Sequence, residues 1–490
     1  MRRRQYAMGD KCSVLELKIN VRKEQYHRLD VKFEDARAVY NAVLNEALSN
    51  YEQITRTKEY RADQAVVKKY YEDKKNGTVK KMPDEVRAIF DKRKKQFQDA
   101  KLTKFGLINI AGYHKNHYAK NVSSIMANKI GEMAWTAMNQ LIYGNGKSVK
   151  FKKPGEMTSI ASDNKSGIRL MVDNGKYYLL LSNQTQKAKP MILSIKQPHN
   201  EYELDMITRP IKIVRIIRRK NGNRFNYFVQ LTVEGTPPQK LKKDGSRLHQ
   251  IREGKVGVYI KDDSVYAVAD DGRIAHWHFC KNQQKYEEKK ADYDRELSKL
   301  RQLNNPDNYD ENGVIKKGSK KWHYSIKYKK ILLQRSYLIH KNTESRNITR
   351  YVIANEILAM GNDIYILKKD YRTKKEKFDE DNRKSNEQYR RLKDRRKKIQ
   401  NFAYADLISK IKSKIDSDNS GAVNEVTVSK DLYYYVHDED KVNKSRFVDG
   451  IIAFKNRTCL EESYRALLIM NYDGKNYNRD MVEKGMSWIC

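Results

Sequence analysis

Lys255-Val256-Gly257-Val258-Tyr259-Ile260-Lys261, followed after Asp262-Asp263 by Ser264-Val265-Tyr266-Ala267-Val268-Ala269, decides how the second half of this chain is built. Val256, Val258 and Ile260 alternate into one strand, and Val265, Ala267 and Ala269 into another. Asp262 and Asp263 between them read as hairpin-turn residues, and Asp271-Gly272 supplies a further turn. Downstream, long charged helices are predicted over Gln283–Leu303 and Lys327–Met360, separated by a polar loop around Asn305-Pro306. Gly361 ends the second helix, and Ile364-Tyr365-Ile366-Leu367 reads as a short buried strand. Residues 371–400 are dominated by charge and are expected to be mobile or bound to a polyanion. A final apolar helix contains Ala466, Leu467, Leu468, Ile469 and Met470. Antiparallel strands, then helices, then one more short strand indicate an α+β domain, or one of RNase H-like type.

Upstream, Pro237-Pro238 and the charged run to Gly254 read as a linker. Before it, from Tyr143-Gly144-Asn145-Gly146 to about Gly235, the chain is β-rich. Its clearest unit is a hairpin: Ile211 to Ile217 is rich in β-branched residues, Asn221-Gly222 supplies the turn, and Phe225, Tyr227, Val229, Leu231 and Val233 alternate on the return. Earlier still, Ala36, Val39, Tyr40, Val43, Leu44, Ala47 and Leu48 follow helical spacing, and charged helical sequence continues to about Leu141 with breaks near Asn76-Gly77 and Pro83. Leu15, Leu17, Ile19 and Val21 read as a first strand. There is no internal repeat.

The 490 residues carry 100 Lys+Arg against 62 Asp+Glu, a net charge of +38. Such a chain repels itself unless a polyanion lies against it. A merely soluble basic protein and an anionic-membrane binder are the alternatives; interleaving of the cations with Tyr favours nucleic acid. No stretch of about 18 apolar residues is present to span a membrane, and Met1-Arg2-Arg3-Arg4 is not followed by the apolar segment of a signal peptide. Cys12, Cys280, Cys459 and Cys490 are scattered without a close pair, which argues against a zinc ribbon or a disulfide framework and fits a reducing cytoplasm.

Several segments, taken in order, resemble one known family. They are Leu15-Glu16-Leu17-Lys18, Ala38-Val39-Tyr40-Asn41, Gly144 to Phe151, Lys165-Ser166-Gly167-Ile168-Arg169, Gly235-Thr236-Pro237-Pro238, Ile315 to Trp322, and Ala466-Leu467-Leu468-Ile469-Met470-Asn471. The chain is similar through them to the TnpB (OrfB) proteins of insertion sequences, which are related to type V CRISPR effectors. The resemblance implies an OB-like β-barrel wedge domain (1–24 and 145–250) with an inserted helical recognition domain (25–144). A RuvC (RNase H-like) domain follows at 251–490, with a helical insertion at about 281–360. It also implies a guide RNA that pairs with target DNA, while the protein reads only a short flanking motif.

RuvC chemistry uses three or four carboxylates that hold two Mg²⁺ ions. The family's first motif, V-G-(I/L)-D-(I/L)-G, here reads Val256-Gly257-Val258-Tyr259-Ile260-Lys261, with Tyr259 at the Asp position and Lys261 at the following Gly. The second, (V/I)-Y-V-E-K-M, reads Ile364-Tyr365-Ile366-Leu367-Lys368-Lys369, with Leu367 at the Glu. The third reads Glu461-Glu462-Ser463-Tyr464-Arg465-Ala466-Leu467-Leu468-Ile469, with Glu462 at the Asp. The resemblance therefore implies a nuclease-dead branch with no catalytic Mg²⁺, similar to naturally inactivated TnpB-like repressors. Three readings stand open: an RNA-guided transcriptional repressor; a divergent active nuclease using Asp262, Asp263 or Asp370; and a guide-independent accessory protein of a mobile element. Zinc is not expected, because the region at about 420–460, where many relatives carry a four-cysteine ribbon, holds only Cys459 and otherwise the Tyr433-Tyr434-Tyr435 segment. His276 and His278 around Trp277 read as ordinary strand histidines.

For readout of the flanking DNA motif, the matching positions are Lys104, Phe105 and Ile108 on a helix, and Asp163 and Asn164 in a loop. Guide-RNA contacts are expected at Lys150, Lys152 and Lys153 and at Arg215, Arg218, Arg219 and Lys220, and the resemblance further implies Lys316, Lys317, Lys320, Lys321 and Trp322. Lys393, Arg395, Arg396, Lys397 and Lys398 form the densest basic run. A monomer acting in the bacterial cytoplasm at the nucleoid is expected, with guide RNA and double-stranded DNA as partners.

Overall fold

The computed structural model describes residues 11–490 except 80, 145, 147, 183–189, 222–223, 243, 262–263, 280–282, 319, 369–397, 399–400, 428–434, 438–439, 442–446, 449 and 455–456. Two compact units divide between Pro238 and Gln239.

In the first unit, β1 (Cys12–Asn20) turns Leu15, Leu17 and Ile19 to one buried face, as period-two alternation dictates. It joins β2 (Ser159–Ser162), β3 (Ile168–Asp173), β4 (Lys176–Leu181), β5 (Met191–Ile195), β6 (Ile211–Asn221) and β7 (Arg224–Glu234) in a seven-stranded sheet of order β2-β6-β7-β1-β5-β4-β3. Every pairing is antiparallel, and the sheet curls into a half-barrel. Between β1 and β2 the chain makes α1 (Lys23–Thr55), α2 (Lys58–Lys75), α3 (Asp84–Asp99), α4 (Lys104–Tyr118) and α5 (Ser124–Ile142); a short α6 (Glu201–Thr208) precedes β6. Leu29, Phe33, Ala36, Val43 and Leu44 form the apolar stripe of α1. They share one core with Val229 and Leu231 of β7 and Met126 and Ile130 of α5.

In the second unit, β8 (Lys255–Lys261), β9 (Ser264–Ala269), β10 (Ile274–His278), β11 (Asp363–Leu367) and β12 (Ala422–Val426) form a sheet of order β10-β9-β8-β11-β12. The first three strands pair antiparallel; β8, β11 and β12 run parallel. The helices are α7 (Gln283–Leu303), α8 (Ile326–Leu358), α9 (Tyr404–Asp418), α10 (Glu461–Met470) and α11 (Arg479–Ile489). On one face Val256, Val258 and Ile260 pack with Ile353 and Ile357 of α8 and Leu407 and Ile411 of α9. On the other, Tyr259 and Val268 pack with Leu467 and Ile469 of α10 and Met486 of α11. Covering on both faces is why β8 is apolar almost throughout.

Gly257 sets how closely the second layer sits. A Cβ there would stand 1.9 Å from the Ala466 carbonyl oxygen, so α10 lies backbone-to-backbone on β8 only because position 257 has no side chain. The charged segment 371–397 and Tyr433-Tyr434 lie outside the described residues. Among the described residues, no helix is long and apolar enough to cross a membrane.

Candidate functional site

Parallel pairing sets Val258 of β8 beside Ile366 of β11. One residue further along each strand come Tyr259 and Leu367, which therefore emerge side by side on the same face and join one apolar cluster. Gly257 lets α10 lie on this face through Ala466, and the first turn of that helix carries Glu462. Tyr259, Leu367 and Glu462 thus converge at the ends of two neighbouring strands and the start of one helix.

Their chemistry is specific. The Tyr259 ring is 8 % exposed, and burial raises its phenol pKa, opposed by the Arg465 charge and aided by Glu461. Leu367 offers no polar side-chain atom; its backbone carbonyl accepts from the Tyr404 hydroxyl at 2.8 Å. The Glu462 side chain is 7 % exposed and accepts a hydrogen bond from the Lys261 ammonium. That ammonium also stands 3.9 Å from Glu461. Burial alone would lower the Lys261 pKa; the Glu462 hydrogen bond and the charges of Glu462 and Glu461 outweigh it and hold the pKa above its ordinary value. Arg465 closes the group, paired with Glu461 at i,i+4 and set 5.5 Å from the centre of the Tyr259 ring. Two acids face two bases, so the cluster is close to neutral. Among the described residues no three His, Cys, Asp or Glu side chains are grouped as metal ligands. Asp262, Asp263 and Asp370 lie outside the described residues.

The DNA-motif candidates fall at two places. Lys104 and Phe105 open α4, capped by Thr103, with Lys104 paired to Glu132 at 3.3 Å and Phe105 76 % exposed. Ile108 is half-buried where α4 crosses α5. Asp163 and Asn164 lie in the β2–β3 turn, and both use their oxygens on it: Asp163 accepts from Ser166 N at 2.9 Å, Asn164 from Leu170 N at 2.8 Å. Gly167 of this turn packs on Ser123, the cap of α5, just past the far end of α4. Lys104 and Phe105 thus stand at the start of the 15-residue α4, and Asp163 and Asn164 in a turn that packs beyond its end.

The RNA candidates divide by exposure. Arg215, Lys220, Lys150, Lys153, Lys316, Lys317 and Lys321 are exposed. Lys320 is half-buried and donates to the Lys317 carbonyl at 3.0 Å. Trp322 is held between Tyr309 and Arg301. Arg219 forms a two-pronged pair with Glu16 at 2.7 and 2.8 Å. Arg218 needs correction as an RNA contact. Its side chain is 1 % exposed and donates to Met157 O, Asp30 and Glu34, while its guanidinium lies 4.4 Å from both the Phe33 and Phe225 rings. It fastens the hairpin to α1. The alternation of Val214, Ile216 and Arg218 on one face carries that signal in the sequence. Of the basic run 393–398, only Lys398 is described. His276 stacks flat on Tyr266 at 4.2 Å, and His278 contacts Ser264 at 3.3 Å.

No protein-family model matches the chain, and no curated protein matches it. Solved structures do. The Cas12f1–sgRNA–target DNA complex aligns over 92 % of this chain and 83 % of that one, with 12 % identity and a TM-score of 0.50. Weaker likenesses are a CRISPR–Cas12f ternary complex (12 % identity, 93 % and 83 % covered, TM-score 0.29) and a Cas12i–crRNA–dsDNA complex (10 % identity, 95 % and 61 % covered, TM-score 0.26). At such identity the first likeness speaks to fold alone: the chain shares the fold of Cas12f1.

Proposed function

We propose that this chain is an RNA-guided, sequence-specific DNA-binding protein without nuclease activity, one that forms an R-loop and represses transcription by occupying its target. The observation that carries the loss of cutting is the Lys261–Glu462 pair. Mg²⁺ demands hard anionic oxygens. The three positions offer a phenol, an alkyl chain and a carboxylate already bonded to an ammonium. The catalytic metal does not fit this donor set.

Guided binding has separate support. The likeness is to a Cas12f1 complex containing sgRNA and target DNA, and the net charge of +38 calls for a polyanion. The strand order β10-β9-β8-β11-β12, antiparallel then parallel, supports reading the second unit as an RNase H-like domain of RuvC type. The seven-stranded sheet interrupted by five helices supports a wedge with an inserted recognition domain. Guide RNA and double-stranded DNA are the partners in this reading. Exchange of a DNA duplex for an RNA–DNA duplex is nearly balanced in energy, so R-loop formation needs no cutting. Blocking of polymerase follows from occupancy.

The test is to purify the protein expressed with its native flanking DNA and sequence the RNA that accompanies it. One dominant RNA with a fixed scaffold and a short variable end supports the reading, and that end specifies the DNA to be used for binding and Mg²⁺-dependent cleavage assays. A non-specific RNA mixture overturns guided binding; cleavage abolished by Glu462→Ala overturns the loss of nuclease activity.

A further inference from the structure

Between α1, α5 and the irregular segment that follows α5 there is a cavity of about 510 Å³, lined by Tyr40, Ala137, Gln140, Ser148, Val149, Lys150, Phe151, Lys152 and Glu156. Its volume lies in the range of small-ligand sites. The segment has no strand or helix over residues 148–158, yet α1 holds it by its backbone. Asn41 bonds both the N–H and the carbonyl of Lys152, each at 2.9 Å, and Arg37 reaches the same carbonyl at 3.3 Å. Glu34 accepts from Gly155 N at 2.9 Å. Glu34, Arg37 and Asn41 fall on one helix face at i, i+3 and i+7. Three side chains of one helix are thus spent on fixing a stretch that forms no regular structure.

What they fix is a mixed wall. Phe151 is an apolar ring left 45 % exposed at the cavity. The Lys152 ammonium lies 5.1 Å from the centre of the Tyr40 ring, which is buried beneath it. Lys150, Gln140 and Ser148 are exposed and add a cation, an amide and a hydroxyl. The one carboxylate, Glu156, accepts from Lys153 N at 2.8 Å, which leaves the mouth net positive and poor in metal ligands. Aromatic surface, amide and hydroxyl beside two cations match a planar base carrying a phosphate.

We propose that this cavity receives one unstacked nucleotide of single-stranded RNA, its base against Phe151, its edge at Gln140 and Ser148, and its phosphate at Lys150 and Lys152. The proposal rests on the reading of the chain as RNA-binding and adds a single-nucleotide site to it. Ala137, half-buried in the wall, is where a larger side chain would fill the space.

The experiment uses the full chain and a labelled single-stranded RNA of about 20 nucleotides with 4-thiouridine at alternate positions. After irradiation, the crosslinked peptides are identified by mass spectrometry. Crosslinks are expected on residues 148–152, falling about tenfold in Ala137→Trp and in Phe151→Ala while total RNA affinity falls less than about threefold. Phe151→Ala, at an exposed ring, guards against misfolding of the filled variant. The same oligomer in deoxy form separates the sources: weaker crosslinking supports an RNA strand, and equal or stronger crosslinking overturns that assignment. RNA that binds but crosslinks elsewhere overturns the cavity alone. RNA that does not bind overturns the cavity together with the reading beneath it.

Discussion

Lys261, at the end of β8, donates to Glu462 in the first turn of α10, so this buried carboxylate has its counter-charge within the chain. The ammonium reaches Glu462 from the neighbouring strand, and Glu461 and Arg465 complete a local balance of charge. A cluster built this way has its own counter-ion.

That relationship predicts indifference to magnesium. Added at about 5 mM, Mg²⁺ is expected to move the thermal midpoint of the wild type by less than about 1 °C, since a ligand stabilises only what it binds. The combination Tyr259→Asp, Leu367→Glu and Lys261→Gly places three acids together and is expected to gain about 3 °C or more from the same addition. Differential scanning fluorimetry with Mg²⁺ and with EDTA reads both; equal responses would sink the argument.

Position 257 should tolerate no side chain. Gly257→Ala would set a methyl 1.9 Å from the Ala466 carbonyl oxygen, forcing α10 off the sheet at a cost of about 3 kcal/mol or more. Urea unfolding followed by circular dichroism gives the number.

Arg218 and Arg215, neighbours on one strand, should separate cleanly. Arg218→Met leaves Asp30 and Glu34 without their buried partner and is expected to destabilise by about 2–4 kcal/mol. Arg215→Ala, at an exposed position, is expected to change stability by less than about 0.5 kcal/mol and to weaken RNA retention at raised salt. Chemical denaturation and filter binding across a salt series distinguish them.

Lys32 gives the chain an alkaline signature. Burial pulls its pKa from 10.5 down to about 8, opposed by Asp35 and helped by Arg28. Between those values the unfolded chain holds the proton and the folded chain does not, so stability attributable to this residue rises as pH climbs from about 8 towards 10.5. The neutral amine can still donate to the Asn121 carbonyl, which it meets at 2.7 Å. Melting curves of the wild type and Lys32→Met should therefore diverge in the wild type's favour over that window, and a constant gap would refute the assignment.

Phe105 should matter to binding and not to folding. With 76 % of its surface exposed, Phe105→Ala is expected to shift the thermal midpoint by less than about 1 °C, while weakening binding to duplexes carrying the flanking motif about tenfold. Equal losses on duplexes with and without the motif would make it a general contact.

Much of the architecture was written in local pattern. Alternation marked the 211–234 hairpin and β8, and helical spacing with few breakers marked the helices at 283–303 and near 326–358. The strand β12 was not legible: Ala422, Asn424 and Val426 carry little apolar contrast, and its place is fixed by parallel pairing to β11. Parallel pairing has no local turn to announce it. The fate of the cations was not legible either. Arg215, Arg218 and Arg219 look alike in a string, and only strand facing and the acids on α1 and β1 decide that one is buried, one is paired and one is exposed. Lys261 beside Glu462 was half legible, from the motif that a Gly would otherwise occupy; Arg465 joins through the helical i,i+4 spacing to Glu461.

The central place of β1 has a consequence for how the chain is made. Its partners β5 and β7 end at Ile195 and Glu234, so about 175 and 214 residues must follow Asn20 before each is complete. At ribosomal speeds of about 5–20 residues per second, that is on the order of 10–40 seconds during which the opening strand has emerged without either neighbour. Helices α1 to α5 are synthesised before β5, and α6 before β7. The first unit therefore closes late and around its oldest segment, and a nascent chain halted before Glu234 would carry an apolar strand open to chaperones.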